Sequence, residues 1–214
     1  MTPRGPCGPS SRPRRRRCPD RPLAAALLLF AACATARLPP PGVAERAAAA
    51  TSWSGSARVS VKGSEMRGRS RVVMAFRRPD ALRIEIPGPA GARLVAVVRG
   101  GRLTAVLPAE RAVLESAATA ADLEALLGIA LSPAELMDVL VGKAPPGLRD
   151  YRARWGETLP RRVEALLADG TRLVATVDDA EAGVELPDAA FGPPPHAGYR
   201  SIDAAEAHRL LGGR

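Results

Sequence analysis

Few residues of this chain are suited to catalytic chemistry. The two histidines, His196 and His208, have no second histidine or cysteine at the spacing of a metal site, and we expect both to face solvent. The adjacent acids Asp178 and Asp179 end a predicted strand, where paired carboxylates are usually solvated. Glycine-rich phosphate loops and the common hydrolase motifs do not occur in the sequence. We therefore expect a protein that is not an enzyme and that uses no metal and no cofactor.

Cys33 is the residue with the most specific chemical context. A basic run at residues 14–17 precedes an uncharged apolar stretch at 23–32, which is the order of a secretory leader. About ten apolar residues are too short for a bilayer core that needs roughly 20. The small residues Ala31 and Ala32 come directly before Cys33, whose thiolate is a nucleophile that can accept a diacylglyceryl group.

Residues 29–33 resemble the lipobox of bacterial lipoproteins, in which the cysteine becomes the lipidated first residue. Phe30 stands where that motif usually has leucine, with Leu29 beside it. The resemblance implies a signal peptide at 1–32 and a lipid anchor at Cys33, and Ala34 in place of aspartate implies the outer membrane, with the domain facing the periplasm. An ordinary cleaved leader with an incidental cysteine is the alternative. Residues 33–50, with three consecutive prolines, are expected to form a flexible tether with a stiff proline segment.

The charge of the chain does not indicate a nucleic-acid partner. The formal charge is +9, but seven of the 31 basic residues and only one acid lie before residue 33. The remaining 24 basic and 21 acidic residues leave a charge of +3. Aromatic residues make up 3% of the chain, which leaves few rings for stacking on bases. We therefore expect an aliphatic core and no nucleic acid.

The body of the chain predicts an antiparallel sheet followed by two helices. Alternating or apolar runs at 53–62, 66–76, 82–86, 94–98 and 102–107 are separated by short turns, which favours a meander of five strands. Leucines at helical spacing between 120 and 141 predict two helices, the second capped by Ser132 and Pro133. Asp169 and Gly170 predict a hairpin turn between two further strands. A strand near 184–186 and a helix at 202–211 complete the pattern.

Several short motifs resemble the LolB family of outer-membrane lipoproteins, within the LolA/LolB superfamily. Residues 88–91, Gly-Pro-Ala-Gly, resemble the Gly-Pro-Leu-Gly turn of that family, and the order of leucines, glycines and prolines between 123 and 145 is similar to its helical segment, as is the Leu-Pro pair at 159–160. The resemblance implies an α+β fold over residues 51–214, with a curved antiparallel sheet that forms an incomplete β-barrel and short helices that lid its concave face.

The resemblance also implies a function and its residues. The fold would bind acyl chains of lipoproteins or lipids and accept them from a periplasmic LolA-like carrier, with the protein as a monomer held to the membrane through Cys33. Pro89 and Ala90 would form the membrane-insertion loop. The family has an exposed leucine at the position of Ala90, and alanine offers less apolar area for contact with the membrane. The groove residues are expected to be Val59, Val61, Met74, Phe76, Leu82, Ile84 and Ile86. The lid residues are expected to be Leu123, Leu126, Leu127, Leu136 and Leu140.

A plainer interpretation of the same residues remains open. Aliphatic side chains at period two form the packed core of most proteins, and these could pack against the helical leucines with no space for a ligand. The protein would then be a structural envelope lipoprotein that serves as a docking scaffold for other proteins. The arginines at 67, 69, 71, 77 and 78 are expected to form a solvated strand face, with contact to anionic headgroups or to a partner's acidic patch as the alternative.

Overall fold

The computed structural model describes residues 38–63 and 67–212, so Cys33, its lipobox and the basic leader lie outside the described residues. Within them, ten strands form one sheet, accompanied by four α-helices and a short 3-10 helix at Asp188–Phe191. The helices are α1 (Val43–Ala48), α2 (Ala120–Leu127), α3 (Pro133–Leu140) and α4 (Ala204–Leu210). The strands are β1 (Ser52–Lys62), β2 (Arg67–Arg77), β3 (Ala81–Gly88), β4 (Gly91–Arg99), β5 (Arg102–Leu107), β6 (Ala112–Ala117), β7 (Asp150–Trp155), β8 (Pro160–Leu166), β9 (Arg172–Ala182) and β10 (Arg200–Ser201).

The sheet is a curved and unclosed barrel. Its strand order is β10-β6-β5-β4-β3-β2-β1-β9-β8-β7, and every pair is antiparallel except the short β10–β6 contact. The edge strands β7 and β10 do not pair with each other, so the barrel stays open. The predicted fold class is therefore confirmed: an α+β protein with a mostly antiparallel sheet that forms an incomplete barrel.

The predicted turns are present and their glycines have a clear conformational role. Gly100 and Gly101 adopt φ angles of 56° and 73° in the tight hairpin turn between β4 and β5. Residues with a Cβ atom rarely adopt such positive φ angles, so glycine suits both positions. Gly170 has φ 89° in the β8–β9 hairpin, where the Asp169 carboxylate accepts a hydrogen bond from the backbone N–H of Thr171 at 2.9 Å. Local chemistry therefore fixes both connections.

The position of the central strand β4 explains the uninterrupted apolar run in its sequence. Leu94 belongs to the main core cluster on the concave side of the sheet, with α2 and α3. The alternate residues Val95 and Val97 lie on the opposite face, where Phe191 of the 3-10 helix covers them. Both faces of this strand are buried, so its sequence shows no polar alternation.

Three local predictions differ from the structure. The strands β6, β7 and β10 were not expected, although the side chains of the edge strand β7 alternate between exposed and half-buried positions. Residues 184–186 are not a strand; the carbonyl oxygens of Val184 and Leu186 accept hydrogen bonds from Ser52 and Arg77 side chains instead of from a neighbouring strand. Residues 43–48, placed in the tether by the sequence analysis, form α1.

Helix α1 packs on the domain because its apolar side chains are buried. Val43 and Ala47 lie one helical turn apart and are both 3% exposed. Ala47 contacts the main core cluster. The folded part of the chain therefore extends to at least residue 43, on the N-terminal side of the boundary expected at residue 51.

The helices on the concave side have well-defined ends. Thr119 and Ser132 cap α2 and α3, and each forms a reciprocal capping box with the acid three residues later. Gly128 ends α2 with φ 69°. Both helices have eight residues, or about two turns, which is enough to cover part of the concave face but not all of it.

Residues Ala36–Arg214 form one compact unit, and all three apolar clusters lie inside it. Among the described residues, no helix combines the length and the apolar character needed to cross a membrane.

Candidate functional site

A cavity of about 140 Å³ lies between the concave face of the sheet and helices α2 and α3. Its walls are almost entirely aliphatic. The sheet contributes Val59, Val61, Val72, Met74, Ile84, Ile86, Leu173 and Ala175. The helices and the segment between them contribute Leu126, Leu127, Ile129, Leu136, Val139 and Leu140.

Some wall residues are incompletely buried although they face inward. Val59, Ile86 and Leu127 are only half-buried, whereas neighbouring core residues are almost fully buried. Interior side chains of a fully packed protein contact other atoms on all sides. The half-buried side chains therefore mark a part of the interior that the chain's own atoms do not fill.

The mouth of the cavity differs chemically from its walls. Arg67, Gly68 and Ser70 of β2 lie on one side, and Arg93 of β4 lies on another, close to Gly212 after α4. The arginines and both glycines are exposed. The site is therefore an apolar interior with a polar, positively charged entrance.

The structure brings together five of the seven residues expected in the groove. Val59, Val61, Met74, Ile84 and Ile86 all line the cavity. Phe76 and Leu82 do not: they pair with each other across β2 and β3 and are fully buried in the main core.

The reason that Phe76 lies outside the cavity is its aromatic partner. Its ring stacks on Trp53 with the centroids 6.1 Å apart and the planes within 5°. This pair fills the concave face at the far end of β1 and β2. Both residues have the period-two position of a groove residue, so alternation alone does not distinguish the filled end of the sheet from the hollow end.

Four of the five expected lid residues also line the cavity: Leu126, Leu127, Leu136 and Leu140. Leu123 does not, and it is buried in the main core on the turn of α2 that precedes them. The expected insertion loop is an exposed two-residue turn, with Pro89 and Ala90 between β3 and β4. Ala90 presents only a methyl group to solvent.

Sequence reasoning missed the contribution of β9. Leu173 and Ala175 line the cavity because β9 pairs with β1, which places them beside Val59 and Val61. The alternation of β9 is visible in the sequence, but its pairing with β1 is a contact between distant segments that periodicity does not reveal.

An ion-pair cluster holds α3 against the strands beneath it. The Asp138 carboxylate contacts the Arg78 guanidinium at 2.6 Å and the Lys143 ammonium at 2.9 Å. Partial burial raises the pKa of Asp138, but hydrogen bonds and charge from Lys143 and Arg78 outweigh it, so the pKa lies below its usual value. Tyr151 donates to the Val139 carbonyl at 3.2 Å, and burial raises the pKa of its hydroxyl.

The remaining titratable groups have structural environments. Asp178 pairs with Arg58 at 2.7 Å, and Asp179 is exposed. The histidines are half-buried instead of fully solvated, and the Nδ1 of His196 lies 2.9 Å from the Pro194 carbonyl oxygen. No group of three or more histidine, cysteine or acidic residues within 38–63 and 67–212 is arranged to hold a metal.

The known proteins that this chain resembles are solved structures of similar architecture. No protein-family model matches the chain, and no curated protein matches it. Similar solved structures include a LolA superfamily protein from Nitrosomonas europaea, at 12% identity and a TM-score of 0.44 over 73% of this chain and 98% of that one. An uncharacterized conserved protein from Thermus thermophilus is 14% identical, with a TM-score of 0.43 over 75% and 94% of the two chains.

A third neighbour is a putative outer membrane lipoprotein-sorting protein domain from Vibrio parahaemolyticus, at 7% identity and a TM-score of 0.39 over 70% of this chain and 93% of that one. The incomplete barrel with helices on its concave face, which the LolB resemblance implies, is the architecture that the chain itself adopts.

Proposed function

We propose that this protein is a lipid-anchored envelope protein that accepts acyl chains of lipoproteins or lipids in the cavity beneath α2 and α3. One observation carries the proposal: an unfilled aliphatic cavity opens to the surface between the sheet and the helices. The described residues that line it offer apolar contact and no catalytic group, which suits a ligand that is bound and released unchanged.

Hydrocarbon is the ligand class that such walls favour. An enclosed apolar cavity of about 150 Å³ in another protein stays dry and binds small hydrophobic molecules, and the walls of the cavity here have the same apolar character. A methylene group gains about 0.8 kcal/mol when it is fully buried. A cavity of about 140 Å³ holds only a segment of a long acyl chain, so only part of the chain's methylene groups would contribute to the binding free energy.

The anchor is the second part of the proposal. Cys33, with small residues before it, would carry the acyl chains that hold the protein in the outer membrane with its domain in the periplasm. A LolA-like carrier would deliver the cargo. The acceptor role has more support than the insertion role, because Ala90 offers less apolar area to a membrane than the leucine of the LolB turn.

The binding step is tested with the compact unit, residues 36–214, and a neutral fluorescent probe of apolar sites such as N-phenyl-1-naphthylamine. We expect saturable fluorescence enhancement that a long-chain fatty acid reverses. The variant Val59→Phe places a ring in the cavity and should weaken binding several-fold. The matched control Val73→Phe changes the same residue type on the outer face, where the side chain is 43% exposed, and should leave binding unchanged.

Absence of saturable binding by the unmodified protein would contradict the carrier and favour a docking scaffold. The anchor is tested separately by metabolic labelling with an alkyne analogue of palmitate. The full chain should be labelled and Cys33→Ala should not. Labelling that persists in this variant would contradict the assignment of Cys33.

A further inference from the structure

The mouth of the cavity carries two arginines that the proposed hydrocarbon site does not need. Arg67 and Arg93 both line the entrance and both are exposed. Within the described residues, neither guanidinium lies within 4.0 Å of a carboxylate, whereas Arg77, Arg83 and Arg99 all form ion pairs. The entrance therefore holds two positive charges that no described side chain neutralises.

A β-bulge directs Arg93 to the entrance. Ile86 pairs with Leu94 and Pro87 pairs with Ala92, so Arg93 is the extra residue of β4 at this point. Bulges interrupt the alternation of a strand and redirect a side chain. Without the bulge, Arg93 would share the outer face with Val95 and Val97, whereas in the structure it lines the entrance of the cavity.

Arg93 retains most of its hydrogen-bonding capacity. One guanidinium nitrogen donates to the carbonyl of Leu210 at 3.2 Å, which holds the side chain at the end of α4. A guanidinium has five N–H donors in a planar fork, and this fork matches carboxylate and phosphate oxygens. The Ser70 hydroxyl on β2 lines the same cavity and adds a neutral donor.

We propose that the mouth binds the anionic headgroup, a carboxylate or phosphate, of an amphiphile whose chain occupies the cavity. This inference rests on the proposed function and narrows its cargo. The diacylglyceryl group of a lipidated cysteine carries no charge, so it would leave Arg67 and Arg93 without a partner. A fatty acid or an anionic phospholipid would place hydrocarbon against the aliphatic walls and charge against the two guanidinium groups.

The test compares ligands of one chain length in displacement of the neutral probe from residues 36–214. The ligands are palmitate, 1-palmitoyl lysophosphatidic acid and the neutral 1-hexadecanol. Arg67→Gln and Arg93→Gln remove one charge each, and Arg93→Lys keeps it. The matched control is Arg69→Gln, because Arg69 is an exposed arginine of the same strand as Arg67 and does not line the cavity.

We expect each glutamine variant at the mouth to weaken the two anionic ligands about tenfold and to leave hexadecanol unchanged. Arg93→Lys should restore much of the loss, and Arg69→Gln should have little effect. Unchanged hexadecanol binding also shows that the variants are folded. A stronger effect on lysophosphatidic acid than on palmitate would identify phosphate as the headgroup, and the reverse would identify carboxylate.

Two results would overturn the inference in distinguishable ways. If all three ligands bind equally and the variants change none of them, the headgroup site is wrong but the hydrocarbon cavity stands. If neither the probe nor any ligand binds, the proposed function fails and the headgroup site fails with it.

Discussion

Replacing Ala175 with leucine tests whether the cavity is real. Ala175 lies on the inner face of β9, is 4% exposed and lines the cavity beside Val59 on the neighbouring strand β1. Leucine adds three carbon atoms at this point. At about 0.8 kcal/mol for each buried methylene, their transfer from water into an empty cavity raises the free energy of unfolding by up to about 2.4 kcal/mol. The same atoms occupy space that we assign to the ligand.

The assay therefore has two readouts on one protein. Urea unfolding of residues 36–214 should show a higher midpoint for Ala175→Leu with an unchanged slope. Binding of the apolar probe should weaken in parallel. The matched control is Ala105→Leu on β5, because Ala105 is fully buried in the main core and does not line the cavity. Overpacking at this site should destabilise the protein by about 1–3 kcal/mol.

The sign of the stability change decides between the two interpretations of the interior. If Ala175→Leu destabilises the protein as much as Ala105→Leu does, the concave side is filled by the chain's own side chains. The reasoning from half-buried wall residues to an empty cavity would then be refuted.

The other predictions concern the elements that hold the helices over the cavity. Because the pKa of Asp138 is lowered in the folded state, its ion pairs add to the free energy of unfolding above its unfolded pKa of about 4, and this stabilisation is lost as the pH falls through the lowered pKa. Urea unfolding measured from pH 7 to 2 should show the loss. The Asp138→Asn variant should lack this part of the pH dependence. Gly142→Ala should cost about 2 kcal/mol in the same assay, because φ is 86° and the new Cβ would lie 2.5 Å from Trp155 atoms; Gly147→Ala, with open space, should cost much less. Ser132→Ala removes the α3 cap and should cost about 1 kcal/mol, without affecting probe affinity under conditions where the variant remains fully folded.

The sequence predicts the fold well where local chemistry decides it. The Asp169–Gly170 turn specifies one connection and the Ser132 cap specifies one helix end, and both appear as expected. Strand β7 was missed although its side chains alternate between exposed and half-buried positions, because it is a short edge strand in which no residue is fully buried. Residues 184–186 have the composition of a strand, but the side chains of Ser52 and Arg77, and not a neighbouring strand, donate hydrogen bonds to their carbonyl oxygens.

The cavity is less predictable than the fold because it depends on which inward residues find a partner. Phe76 and Val59 occupy equivalent inward positions in neighbouring strands, yet Phe76 stacks on Trp53 and Val59 borders empty space. Arg93 was missed for a related reason. Simple alternation places it outside, and only the bulge opposite Ile86 brings it to the mouth.

Native mass spectrometry of residues 36–214, purified from cells without detergent, tests the central claim most directly. We predict a species with the mass of the protein plus one amphiphile, and this species should be depleted in Val59→Phe and retained in Val73→Phe. A single ligand-free mass, unchanged after incubation with long-chain fatty acids and lysophospholipids, would contradict the account.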